Sequence, residues 1–253
     1  MPHNPSRSRA VLLIAAGIAA FLLTLLAIVP ASVISVALPA TIKLGMTSGT
    51  IWNGSTDSLN VGGRTYGAVR WTLRPLQLFR GRLAFDGELL RNDGQARGRI
   101  GLGFGKRVSA RDLDINLPLA ALVTGEGPPG WSGVVRARLQ SVDLTPGVAP
   151  QIVGTIEVHG LQAPPPGGAA IGSYAITFDA GSARDGKLIG QIKDLEGPMQ
   201  VAGTATLAGD RSYVVEGLVA PRAGAPQAVT DTLRFLGAPD AQGRRPFSVA
   251  GTY

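Results

Sequence analysis

The chain has no cysteine, which excludes a disulfide framework, a thiolate metal site and a cysteine nucleophile. That absence leaves the redox compartment open, because an exported protein need not use disulfides. Histidine is nearly as scarce, with only His3 and His159 present, so imidazole chemistry in the body of the chain would rest on His159 alone. Aromatic residues make up 6% and charged residues 16% of the 253, against 35 glycines and 18 prolines. That balance suits many short strands and turns better than long helices. The formal charge is +7, yet Arg64, Arg70, Arg74, Arg80, Arg82, Arg91 and Arg97 are each separated by apolar or glycine residues. No basic patch, and so no nucleic-acid partner, is read from that spacing.

What the sequence does have is one long uncharged run. Ala10 to Val29 carries no charge and a single hydroxyl, Thr24, and at ~1.5 Å per residue it matches a ~30 Å hydrocarbon core. Residues 10–30 are therefore expected to form a transmembrane helix. Arg7 and Arg9 precede it and no further Lys or Arg occurs until Lys43, which places residues 1–9 in the cytoplasm and residues 31–253 across the membrane. A cleaved signal peptide is the rival reading, with Ser35-Val36-Ala37 as small residues, but the run is about twice a usual signal core.

Beyond the run the period changes to two. Arg82–Leu89, Arg99–Gly105, Gly133–Leu139, Gly154–Gly160, Tyr174–Phe178, Leu188–Lys193, Val201–Leu207 and Tyr213–Leu218 all alternate or carry β-branched residues. Asn92-Asp93-Gly94, Arg184-Asp185-Gly186 and Ala208-Gly209-Asp210 supply turns between them. The expected fold is mainly β: a meander of antiparallel strands, curved because glycines inside the strands permit bulges. Two short helices are expected, at Leu117–Val123 and at Pro226–Leu236 closed by Gly237. Residues 31–47 are left as helix, linker or sheet. Proline-rich stretches at 125–130 and 163–168 are short enough for surface loops, so one body is expected, with a possible subdivision near 125–131.

Candidate sites are few. Asp112 and Asp114 share a strand face, but Arg111 is adjacent and a cation needs several more oxygen ligands; no metal is expected. Gly101, Gly103 and Gly105 before Lys106 lack the Ser or Thr that follows the Lys of a phosphate loop, and strand glycines explain them. His159 has no nucleophile elbow or orienting acid nearby, so a partly exposed strand histidine is the plainer reading. Neither catalytic nor cofactor-binding residues are expected. Asn53-Gly54 reads as a turn, and Trp52 and Trp71 as core anchors in preference to exposed contact residues. Arg244-Arg245-Pro246-Phe247 either docks an acidic partner or forms a polar turn before a last strand, Phe247–Tyr253.

Three segments carry a resemblance to a known family: Gly49-Thr50-Ile51-Trp52-Asn53-Gly54, then Trp71-Thr72-Leu73-Arg74-Pro75 leading into Leu78-Phe79-Arg80-Gly81-Arg82-Leu83, and the tail Leu236-Gly237-Ala238-Pro239-Asp240-Ala241-Gln242-Gly243-Arg244-Arg245-Pro246-Phe247-Ser248. In this order, behind an N-terminal anchor, the chain resembles the type II secretion system protein N family, also called general secretion pathway protein N. The resemblance implies a non-enzymatic inner-membrane component that assists export of folded proteins from the periplasm across the outer membrane. It also implies other inner-membrane secretion components as partners, and a distant kinship with AsmA-like envelope proteins. The alternative is an envelope protein that binds or transfers lipid or another hydrophobic ligand in an apolar groove of its curved sheet, beside membrane lipid.

Overall fold

In the computed structural model residues 5–78, 81–122, 130–164 and 168–252 are described, and the chain divides into two compact units, Met1–Leu73 and Arg74–Tyr253. The first unit begins with α1, a 23-residue helix over Pro5–Ala27. Its interior holds alanine and leucine, which are strong helix formers, and Pro30, which has no amide to donate, lies just beyond its end. Among the described residues no helix is long and apolar enough to cross a membrane; in α1 the described side chains begin at Leu13 and leave out Ala19 and Leu23.

A single 3₁₀ turn, Ala31–Val33, and α2, Ile34–Ala37, follow. Then come β1 (Ile42–Leu44) and β2 (Thr47–Gly49), so the segment from 31 to 47 resolves into helical turns and short strands. Both strands pair with β3 (Asn53–Val61), whose other edge pairs with β4 (Arg64–Leu73), all antiparallel. Gly62 and Gly63 turn this last hairpin with φ of 59° and 84°, the two left-handed residues that a tight hairpin turn requires.

The second unit begins with α3 (Pro75–Leu78), followed by β5 (Arg82–Arg91), β6 (Gly94–Gly103), β7 (Arg107–Pro118), α4 (Leu119–Leu122), β8 (Ser132–Leu144), β9 (Gln151–Gln162) and β10 (Ala170–Phe178). The two-residue strand β11 (Ala183–Arg184), β12 (Lys187–Glu196), β13 (Met199–Ala208), β14 (Ser212–Pro221), α5 (Gln227–Leu233) and β15 (Arg245–Thr252) complete it. Each long strand pairs antiparallel with the next in sequence, and β11 folds back on β12. This is the expected meander.

Register explains why the alternating pattern works. One line across the sheet reads Leu89, Ala96, Ile115, Ala137, Ile156, Ile176, Ile192, Gly203, Gly217 and Phe247. The neighbouring line reads Glu88, Arg97, Asp114, Arg138, Thr155, Thr177, Gln191, Thr204, Glu216 and Ser248. Adjacent residues of a strand point to opposite faces, so the unit has one apolar and one polar face. On the apolar face Leu117, Val135, Ala137, Leu139, Phe178, Leu188 and Ala205 are buried. The helix α5 covers one margin, where Val229 and Leu233 pack with Val219, Leu236 and Phe247.

Elsewhere the sheet buries this face by curving. In a flat sheet the β8–β9 and β13–β14 connections would lie about 19 Å apart, at ~4.8 Å per strand. Here a Cβ added at Gly209, between β13 and β14, would come within 2.9 Å of the Ala149 amide between β8 and β9. Register shifts in the β6–β7, β8–β9 and β9–β10 pairs supply the bulges that bend strands.

Several expectations need correction. The chain divides between Leu73 and Arg74; of residues 125–131, where a possible subdivision was expected, 125–129 lie outside the described residues. Leu117 and Pro118 end β7, so the helix expected from Leu117 begins two residues later; Val123 lies outside the described residues. Gly105, at φ 73°, belongs to a 3₁₀ turn and is not a strand glycine. Asp112 does not share a face with Asp114 in a regular strand: it has φ 53° and sits at the bulge between the Arg97–Asp114 and Arg99–Arg111 pairs. Asn53-Gly54 does not form the turn; both residues open β3. His3, Phe79, Arg80, Tyr253 and residues 165–167 also lie outside the described residues.

Candidate functional site

The first resemblance segment lies at the end of α1. An α-helix leaves its last four carbonyls without intrahelical partners, and here the segment supplies a donor to one of them and a second donor to Val29, two residues past the helix. The Trp52 indole Nε1–H donates to the Leu26 carbonyl at 2.7 Å, and the Ile51 amide donates to Val29 O at 3.0 Å. Pro30 and Thr50 form an isolated antiparallel bridge between the same two stretches. Thr50 and Asn53 close the turn, with the Thr50 amide on Asn53 O at 3.0 Å and the Asn53 amide on Thr50 Oγ1 at 3.2 Å. Trp52 is half-buried, so it acts as a fastening between helix and sheet, neither the core anchor nor the exposed contact residue that the sequence suggested.

Trp71 is the buried indole of the unit, at 9% exposure. Its Nε1–H donates to Ile51 O at 3.2 Å, and its ring lies over Gly54, where an added Cβ would stand 2.5 Å from Cζ2. Gly54 is thus small because the indole occupies the space a side chain would need. Trp52→Phe keeps an apolar ring but removes the donor to Leu26. It should cost about 1–2 kcal/mol, measured by chemical denaturation of the detergent-solubilised full-length chain; unchanged stability would mean that water replaces the bond.

In the second unit Pro75 is the first residue of α3, where its missing amide costs nothing. The Arg74 amide donates to Ala84 O at 2.8 Å and its guanidinium pairs with Asp86 at 2.7 Å. The hydrogen bond to Asp86, and then its charge, push the Arg74 guanidinium above its ordinary value. The tail segment is a turn built on Asp240. Its Oδ1 accepts the Gln242 amide at 2.9 Å and the Arg244 amide at 2.8 Å, and its Oδ2 accepts Arg244 Nε at 2.8 Å. Burial acts to raise the Asp240 carboxyl, but these hydrogen bonds outweigh it and hold the group below the usual carboxylate range. Gly243 takes φ 76° inside the turn, and Gly237 passes close to Pro246, 3.2 Å from an added Cβ to Cγ. Arg245 Nη1 donates to the Leu236 and Gly237 carbonyls beyond α5, and Pro239 is exposed. Both arginines are therefore engaged within the chain. The segment folds as a polar turn, with Pro246 and Phe247 in the last strand, which starts at Arg245.

The remaining candidates are also accounted for. Asp114 pairs with Arg97 at 3.1 Å and Asp112 approaches Arg99 at 3.8 Å; among the described residues no three metal-ligating side chains cluster. His159 Nε2 lies 2.8 Å from Glu157 Oε2 two residues earlier on β9, an acid the sequence reading missed although i and i+2 share a strand face. No hydroxyl among the described residues bonds to that ring. A polar cluster with no signature in the sequence joins Tyr174, Asp194 and Arg222. Asp194 accepts the Val201 amide at 2.9 Å and pairs with Arg222. The Tyr174 phenol donates to Ile171 O at 2.6 Å and is pushed up to about 12 by burial and then by Asp194.

Comparison with known proteins matches residues 40–248 to the family model described as "Type II secretion system (T2SS), protein N". The chain is 25% identical to the type II secretion system protein N of Aeromonas hydrophila, over 95% of this chain and 98% of that one. It is 26% identical to the protein of the same name from Vibrio cholerae serotype O1 (strain ATCC 39315 / El Tor Inaba N16961), over 85% of this chain and 86% of that one. No solved structure matches it.

Proposed function

Because the chain belongs to the type II secretion system protein N family, we propose that it serves type II secretion as a non-enzymatic component held in the inner membrane by α1. Residues 1–9 lie in the cytoplasm and both β units in the periplasm, where they meet other inner-membrane components of the system. The family match over most of the chain carries this reading. The uncharged run supports the anchor, and so do Leu13, Ile14, Ile18, Phe21 and Leu22, apolar side chains of α1 that stand exposed as lipid-facing residues do. The orientation follows from Arg7 and Arg9 before the run. Trp52, fastened to the last turn of the helix, has the amphipathic ring that suits a membrane–water interface.

The test is mass-spectrometric identification of proteins and lipids that co-purify with the full-length chain from its native membrane in mild detergent. Inner-membrane secretion components in stoichiometric amount are the expected result. Their absence, together with normal secretion in cells lacking the chain, would overturn the proposal. Lipid in excess of a detergent-matched control, without those proteins, would favour a hydrophobe-binding role.

A further inference from the structure

The two ends of the second unit differ. At one end Leu117 and Val135 are buried and α5 packs Val229 and Leu233 against Val219, with Phe235 just past the helix 92% exposed. At the other end β5, β7, β9, β12 and β14 begin and β6, β8, β10, β13 and β15 finish, and there several turn and loop side chains are bare while Phe178 and Leu188 are buried. Phe104 in the β6–β7 turn is 87% exposed, Leu76 of α3 77% and Val148 of the β8–β9 loop 53%. Phe104 and Val148 border one continuous stretch of surface. Phe104 lies against Gly81, ahead of β5, 2.7 Å from an added Cβ. A cavity of about 210 Å³ brings Val148 and Leu144 together with Lys106 and Arg211. A second, of about 360 Å³, joins Val148 and Leu102 with Arg82 and Arg107.

The charges at this end are mainly basic, with Asp179 and Asp185 of the β10–β12 connection, Asp143 and Asp210 as the acids. Asp143 is held bidentate by Arg111, at 3.1 and 2.9 Å, and Asp210 accepts the Ser212 amide and hydroxyl at 2.9 and 2.6 Å. Among the described residues Arg82, Lys106, Arg107 and Arg211 pair with no carboxylate. Bare aromatic and aliphatic tips beside unpaired cations match an anionic bilayer surface. Such tips bury ~5–10 Å into the headgroup boundary, and each cation near the lipid phosphates adds about 1 kcal/mol. We propose that this end of the second unit docks on anionic phospholipid, Phe104 and Val148 entering the interface and Lys106, Arg107, Arg82 and Arg211 meeting headgroup phosphates. The contact goes beyond the helical anchor and does not depend on it.

The absence of cysteine makes the test clean. Full-length chains carrying Phe104→Cys, Val148→Cys or, at the opposite end, Asn92→Cys are labelled with an environment-sensitive fluorophore. Each is reconstituted with vesicles of phosphatidylcholine alone or mixed with phosphatidylglycerol. Positions 104 and 148 should shift to the blue, and be quenched by spin-labelled acyl chains, in the anionic vesicles, while position 92 does neither. Changing Lys106→Gln and Arg107→Gln together should weaken the docking equilibrium about 30-fold, and added salt should act in the same direction. Equal responses at 104 and 92, or no dependence on phosphatidylglycerol, would overturn the proposal. So would a response at 104 only after solubilised secretion-system proteins are added, which would assign the surface to a protein partner. Flotation reports the anchor separately: a chain that floats with neutral vesicles and shows no label response keeps its anchor and loses the docking. One that floats only with anionic vesicles, with the response at 104, keeps the docking and loses the anchor.

Discussion

Trp71→Ala should lower the stability of the full-length chain by about 3–5 kcal/mol, a large share of the ~5–15 kcal/mol that holds a typical protein folded. Three losses act together. A ring that is only 9% exposed leaves a cavity, the Ile51 carbonyl loses its donor, and the face of Gly54 loses the ring that covers it. Denaturant unfolding in detergent, followed by circular dichroism, measures the loss, and Trp71→Phe should fall between the variant and the parent. Gly54→Val attacks the same contact from the other side, because its Cβ cannot coexist with the indole where it stands. If Trp71→Ala cost less than about 1 kcal/mol, a typical surface change, the packing of the first unit described above would be wrong.

Leu188→Ala carries the second large effect, about 2–5 kcal/mol. Leu188 is 1% exposed, the largest fully buried side chain among the described residues. It stands on β12 in register with Leu207 of β13 and Ala183 of β11, on the apolar face that the curved sheet closes over. Leu188→Met, which conserves volume, should cost under ~1.5 kcal/mol, so the pair of variants separates cavity formation from a general intolerance of change. Urea midpoints at unchanged slope provide the readout; a Leu188→Ala midpoint equal to the parent's would show that the face is open to solvent.

The strands were legible where burial of one face writes an alternating pattern, as in Arg82–Leu89 and Val201–Leu207, and their neighbours followed because short turns join them. The Arg184-Asp185-Gly186 turn was legible for a local reason: Asp185 and Gly186 both take positive φ, a conformation those residue types favour. The β3–β4 hairpin was missed because Asp57, Ser58 and Asn60 blur its alternation, although Gly62-Gly63 marked its turn. The bulge at Asp112 and the division after Leu73 leave no periodic trace, since both depend on how distant strands meet. The candidate segments were visible as segments, but their roles were not. That Trp52 reaches back to Leu26, and that Gly54 is small for Trp71's sake, are contacts across 26 and 17 positions. The tail arginines looked free because nothing in the sequence shows that Asp240 folds back onto Arg244 and that Arg245 turns toward the end of α5.

The meander also bears on how the chain can fold. Each long strand of the second unit pairs with the next long strand in sequence, most of them across a connection of a few residues, so these hairpins wait for no distant partner. Contacts of this kind form quickly. A chain that leaves a narrow passage N-terminus first can therefore zip up strand by strand as it emerges, each new strand covering the edge left by the one before. The cluster of Val229, Leu233 and Phe247 around Val219 forms after these hairpins and completes the margin of the sheet.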